Sequence, residues 1–169
     1  MTTLLIISIL LVTLYVGVAI WKERELPESI SAMVYLLPEG GAQWLWSLWM
    51  VVTAIITFAP VISILDRQGL GFLGFLSMVL LAFVAVWPLY DKEHTVWHNV
   101  FGIAAGVLSQ VCVRFICPWW LWLWILFIAY EWYSRKYVHV YPNGITGKSV
   151  FIAEVICFTT IICTIFTNF

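Results

Sequence analysis

Charge is what this chain has least of. Of its 169 residues 10% are charged, eight basic against nine acidic, for a net charge of −1. A balance so near zero gives no electrostatic footprint for nucleic acid and excludes it as a partner. So few charges also cannot clothe a soluble body in which 63% of residues are hydrophobic. A basic start is missing from the first apolar run. Lys22 and Arg24 follow that run instead, so it does not read as a cleaved leader and is expected to be retained. Cysteine is sparse. Cys112, Cys117, Cys157 and Cys163 lie within or beside apolar runs, none forms C-x-x-C, and none sits in a polar loop, which excludes a disulfide framework. They read as reduced, apolar packing residues. Low-complexity tracts and internal repeats are lacking too, so residues 1–169 form one integral membrane domain.

What the chain does have is long apolar runs, with a mean hydropathy of +1.01. Runs of about 18 residues or more match the hydrocarbon thickness of a bilayer. The expected fold is all-α, a polytopic membrane helical bundle of six transmembrane helices plus a short interfacial or re-entrant helix. The spans fall at about 3–21, 43–65, 69–89, 96–116, 118–133 and 149–167. Lys22, Arg24, Lys92, Arg135, Lys136 and Lys148 fall in loops one, three and five; Arg67 and Arg114 fall in loops two and four. The basic bias places loops 22–42, 90–95 and 134–148 in the cytoplasm and both termini on the opposite side. Trp21, Trp44, Trp46, Trp87, Trp97, Trp119, Trp120 and Trp132 fall near span ends, where an amphipathic ring suits the headgroup region.

The first loop carries a pattern of its own. Within 27–37, Ile30, Met33, Val34 and Leu37 follow i, i+3, i+4, i+7, with Pro27 as a first helical residue and Pro38, Gly40 and Gly41 as stops. This predicts a short amphipathic helix in the interface, either a lid over a lipid gate or a packed connector. Residues 137–147 read as an exposed loop around Pro142-Asn143-Gly144. The Gly147-Lys148-Ser149 string fails the phosphate-loop spacing, because Pro142 stands where the first glycine belongs. Ser149 is expected to help cap the sixth span.

The chemistry gathers in "DKEHTVWHNVFGIAAG", residues 91–106. On a helix Asp91, His94 and His98 fall within about 60° of one another. Continuing by fours gives Gly102, Gly106 and Gln110. The G-x-x-x-G lets a neighbouring helix approach closely, so this face is expected to point inward. Histidines at i and i+4 reach one metal ion from a single helical face. Zinc is the expected cofactor, with Asp91 or His139 from the fifth loop as further ligands. Zinc would bring the pKa of a bound water towards neutrality. Glu154, about one turn into the sixth span, and Glu131, at the end of the fifth, map to the same leaflet. A carboxylate inside a span is costly and faces a cavity or a partner. Glu154, Asp91 and Glu131 are therefore the candidate catalytic carboxylates. The alternatives stay open: Asp91, Lys92 and Glu93 as a solvated helix cap, and Glu154 as a structural residue paired with Lys148.

"HTVWHNV", with Trp97 directly before the second histidine, resembles the H-x-x-W-H segment of the CREST superfamily of membrane hydrolases, which includes alkaline ceramidases. The resemblance implies a zinc-dependent amidase or esterase acting on a lipid, with His94 and His98 as the paired histidines. It covers seven residues. The family's early-span histidine has no counterpart here, since no histidine precedes His94, and two spans follow the pair where the family ends on it.

Three functions compete. The first is an intramembrane metal-dependent hydrolase of a lipid amide or ester at the cytoplasmic interface, with membrane lipid as its partner. The second is a small transporter or channel, a homo-oligomer at this size, using the same Glu/His cluster for ion or proton coupling; it needs a polar path to the far face. The third is a non-enzymatic partner-binding membrane protein, for which the tryptophans of "CPWWLWLWILF" offer a surface.

Overall fold

Glycine and proline set where the helices stop. The computed structural model describes residues 2–23, 27–38, 40–89, 95–137 and 147–168. Asp91, His94 and His139 therefore lie outside the described residues. The α-helices are α1 (Thr2–Glu23), α2 (Gly41–Asp66), α3 (Gly71–Val86), α4 (Thr95–Ile116), α5 (Trp124–Tyr137) and α6 (Gly147–Asn168), and no strand occurs among the described residues. The all-α expectation holds. Three helices are long and apolar enough to cross a membrane: α2, α4 from Val96 and α6 from Lys148. The apolar helices Ile6–Val18 and Gly71–Val86 are shorter.

α2 and α3 form a tight hairpin. Gly69, at φ +72°, ends α2 in the left-handed conformation that glycine adopts without strain. Leu70 N–H donates to the Leu65 carbonyl and Gly69 N–H to the Asp66 carbonyl, both at 3.0 Å, which satisfies the helix end in a Schellman arrangement. Gly74 then lets the helices close: a Cβ there would stand 2.9 Å from Ile62 Cγ1.

Side-chain pairs fix the helix directions. Ser8 bonds Thr57, and Trp46 donates to Tyr15, so α1 runs antiparallel to α2. Gly106 faces Cys157 and Gln110 bonds Thr160, so α4 and α6 run parallel. The starts of α2, α4 and α6 and the ends of α1 and α3 thus share one end of the bundle, called here the near end. Two cores fill it. Val34, Trp46, Met50, Val84 and Ala85 pack at the near end. Phe58, Val61, Leu65, Val113, Ile161 and Ile165 pack at the far end.

Four local expectations change. Residues 27–37 are not an α-helix: Pro27 to Ile30 are irregular and Ser31–Leu36 form a 3-10 helix. Serine side chains that bond elsewhere draw backbone away from the helical ladder. The predicted span 118–133 is split, with a 3-10 helix over Pro118–Leu123 before α5. Ser149 lies inside the first turn of α6 and is buried, so it does not occupy the cap position. Trp46 lies near the start of α2 as expected but turns into the core, while Trp21, Trp44, Trp97, Trp119 and Trp132 are exposed. All four cysteines are free thiols.

Candidate functional site

Glu154 stands in the second turn of α6, and the irregular segment 27–31 is built around it. Ser29 Oγ and Ser31 Oγ donate to Glu154 Oε1 at 2.9 and 2.6 Å, and the Ile30 N–H donates to Oε2. Phe151 N–H donates to the Glu28 carbonyl at 3.0 Å, so α6 holds this segment at two successive points. Backbone that leaves the helix at membrane depth needs such partners from the surrounding protein. A second layer supports the first. Tyr15 O–H donates to the Ile30 carbonyl at 3.5 Å and accepts from Trp46 Nε1 at 2.6 Å. The Tyr15 ring lies 4.3 Å from that of Trp49. The carboxylate therefore ties α1, α2, α6 and the 27–37 segment into one clasp.

The same segment reaches His98 with its other end. Val34 is fully buried at the near-end core, and Tyr35 sets its ring edge-on to the imidazole at 5.5 Å. His98 is 2% exposed, and neither ring nitrogen has a hydrogen-bond partner among the described residues. Buried polar atoms are nearly always paired, so this side chain calls for a reason. Its neighbour Trp97 points outward and stacks on Phe101, which also meets Phe83 and Trp87. The expected inward face of α4 is present: His98, Ala105 and Ser109 are buried, and Gly106 packs against Cys157.

Glu131 is engaged locally. Its Oε2 lies 3.7 Å from Arg135 Nε on the next turn of α5. Glu154 and His98 are brought to opposite ends of one short 3-10 helix. Among the described residues no three of His, Cys, Asp and Glu come together as a metal-holding group; Asp91, His94 and His139 lie outside that set.

Deeper in the bundle Gln110 forms a polar hub. Its Oε1 accepts from Trp124 Nε1 at 2.9 Å and from Thr160 Oγ1 at 3.0 Å, and its Nε2 donates to Ser109 Oγ at 3.2 Å. Buried polar side chains continue past this hub, with Ser77, Thr160 and Thr164 beside the far-end apolar core of Phe58, Val61, Leu65, Val113, Ile161 and Ile165. The buried histidine and the Glu154 clasp lie at the near end.

Sequence reasoning missed Ser29, Ser31, Tyr15 and Trp46. The signal for the first two was on the page, as two serines flanking one apolar residue in a segment otherwise read for its apolar face. Nothing local marks Tyr15 and Trp46, which are assigned by tertiary packing. No protein family, curated protein or solved structure matches this chain, so its near-end site stands on its own geometry.

Proposed function

We propose that the chain is a multi-pass membrane protein with six crossings, its near end cytoplasmic, and that it hydrolyses a lipid amide or ester at that interface with zinc held by His98 and His94. The observation that carries the proposal is the one-ended site. A buried histidine with no hydrogen-bond partner among the described residues sits beside the 27–37 segment, and the Glu154 clasp lies at the same end. A site that receives a lipid from one leaflet needs its titratable groups at one end. The alternating helices and the six-against-two distribution of basic residues support the six crossings and the orientation.

The donor chemistry fits a metal. His98 offers neutral imidazole nitrogen that no described side chain consumes. His94, four residues earlier, and Asp91 would complete the set, with His139 as a further candidate. Zinc there would supply Lewis-acid activation of a carbonyl or of water. The chain's own residues do the rest. Tyr35 holds the imidazole edge-on, and the 27–37 segment walls the histidine from solvent. Glu154 is a positioning residue in this scheme: its carboxylate accepts from Ser29, Ser31 and Ile30 and keeps that wall in place. Asp91 and Glu131 are the carboxylates left to move a proton.

The test is elemental mass spectrometry of the detergent-purified protein prepared without chelator, beside His94→Ala and His98→Ala. The expected result is near-stoichiometric zinc in the parent and its loss in both variants, with parallel loss of hydrolysis of acyl-labelled lipids. Absence of any transition metal under metal-replete conditions removes the hydrolase reading.

A further inference from the structure

His98 is closed in, and whatever reacts with it has to be let in. The side chain is 2% exposed, so neither water nor a lipid reaches its nitrogens in this arrangement. The elements around it differ in how firmly they are held. α2 and α4 are continuous helices of 26 and 22 residues. α3 is closed against α2 at Gly74, and against α4 where a Cβ on Gly102 would stand 3.9 Å from Val84 Cγ2. Segment 27–37 has no such frame. Pro27 to Ile30 are irregular, and Ser31–Leu36 form a 3-10 helix, whose hydrogen bonds are poorer than those of an α-helix. Leu37 is already extended, at ψ 148°, and Pro38 after it is exposed. Tertiary contacts hold the segment down. Three donors meet Glu154, Phe151 N–H meets the Glu28 carbonyl, and the Ile30 and Val34 side chains are buried.

We infer that segment 27–37 is a strap that lifts from Glu154 to uncover His98, with the carboxylate as its latch. The latch and the cover belong to one short element. Ser29, Ile30 and Ser31 grip Glu154 at its start, and Val34 and Tyr35 follow, with the Tyr35 ring 5.5 Å from the imidazole. A 3-10 helix rises about 2 Å per residue, so the grip and the Tyr35 cover are only about 8 Å apart along it and move together. The three donors share a single carboxylate, so they let go as a set. Elements that admit ligands come from the least stable parts of a fold, and lids that close over a site keep water from it. The strap meets both conditions: it is the part least held by its own backbone, and it covers the buried histidine. The inference rests on the proposed chemistry only for what enters beneath the strap.

The experiment is modification of the metal-free protein in micelles by diethyl pyrocarbonate, which reacts with imidazole nitrogen, read at His98 by peptide mass spectrometry. In the parent, His98 should react slowly, at a rate set by opening. Glu154→Ala should raise that rate by about a hundredfold. Ser29→Ala combined with Ser31→Ala keeps the carboxylate, removes two of its three donors and should raise the rate by about tenfold. Amide exchange in the α2–α3 hairpin should stay as in the parent; if Glu154→Ala loosens it, the double serine variant decides. His98 that reacts in the parent as fast as free histidine overturns the inference. So does a His98 rate left unchanged in variants whose Ile30 amide exchanges faster, because the latch then opens without uncovering the histidine. Faster His98 modification in the latch variants of a protein that takes up no zinc upholds the strap and refutes the ligand role. Unchanged modification in a protein that does bind zinc refutes the strap and leaves the hydrolase reading standing.

Discussion

Replacing Glu154 with alanine removes the acceptor of three donors at once: Ser29 Oγ, Ser31 Oγ and the Ile30 N–H. Hydrogen bonds to a charged group contribute about 1.5–3 kcal/mol each, and donors left unpaired carry a desolvation cost of about 1–3 kcal/mol. These terms are not additive within one network, and breaking a buried charged cluster typically costs about 3–5 kcal/mol in total. An opposing effect exists, because a carboxylate at membrane depth opposes insertion by an amount of similar order, about 2.5–3.5 kcal/mol for acidic residues at a span centre. That gain acts on α6 whether or not segment 27–37 is docked, so it cancels from local opening while clouding global unfolding. The assay is therefore amide hydrogen exchange at Ile30 in micelles, which reports opening of the segment. A loss of about 3 kcal/mol corresponds to roughly two orders of magnitude in exchange rate. Glu154→Gln should fall between parent and alanine: Oε1 still accepts from the two serines, while an amide NH2 facing the Ile30 N–H sets donor against donor. Equal exchange in parent and Glu154→Ala, or in Gln and Ala variants, would refute the clasp.

Further outcomes follow from the packing. Gly74→Ala places a methyl group 2.9 Å from Ile62 Cγ1 and should destabilise the α2–α3 hairpin by about 1–3 kcal/mol in thermal unfolding, with partial recovery in combination with Ile62→Ala. Gln110→Leu keeps the volume but strands Trp124 Nε1, while Thr160 Oγ1 keeps the Cys157 carbonyl as acceptor; it should cost about 1–3 kcal/mol by the same measurement, whereas Gln110→Glu should cost less because it keeps an acceptor. Tyr15→Phe leaves Trp46 Nε1 without its acceptor and should speed exchange in segment 27–37 in the same direction as Glu154→Ala but by less. Gly69→Ala forces a side chain into φ +72° and should cost about 1 kcal/mol, read as a lowered unfolding midpoint.

Helix positions were legible in the sequence because long apolar runs with sharp glycine and proline stops admit few alternatives. Even there the 118–133 run was misread. Pro118 and four tryptophans in seven residues give hydropathy without a helical start, and the chain takes 3-10 turns to Leu123 before α5 begins. The amphipathic spacing of 27–37 correctly marked Val34 as inward-facing but assigned the wrong backbone. Periodicity weighs side chains against water or lipid. It does not see a carboxylate 124 residues away that offers Ser29, Ile30 and Ser31 a better partner than the helical ladder. Glu154 itself was legible as a site residue, since a lone carboxylate in an apolar helix announces a partner, yet its partners were not. His98 was marked by its spacing; that its nitrogens would be buried with no hydrogen-bond partner among the described residues depends on how the helices pack, which no local pattern records.

The sequence separation of the clasp has a consequence for biogenesis. Ser29, Ile30 and Ser31 emerge from the ribosome long before Glu154 does, and the α2–α3 hairpin can pair from neighbouring residues alone while they wait. Until α6 is inserted, the Ile30 N–H and the hydroxyls of Ser29 and Ser31 lack the carboxylate of Glu154. α6, made after α1 to α5, is thus the helix that closes the first loop. A chain interrupted before α6 would carry an open, hydrogen-bond-hungry segment that quality-control machinery could read as a mark of unfinished synthesis.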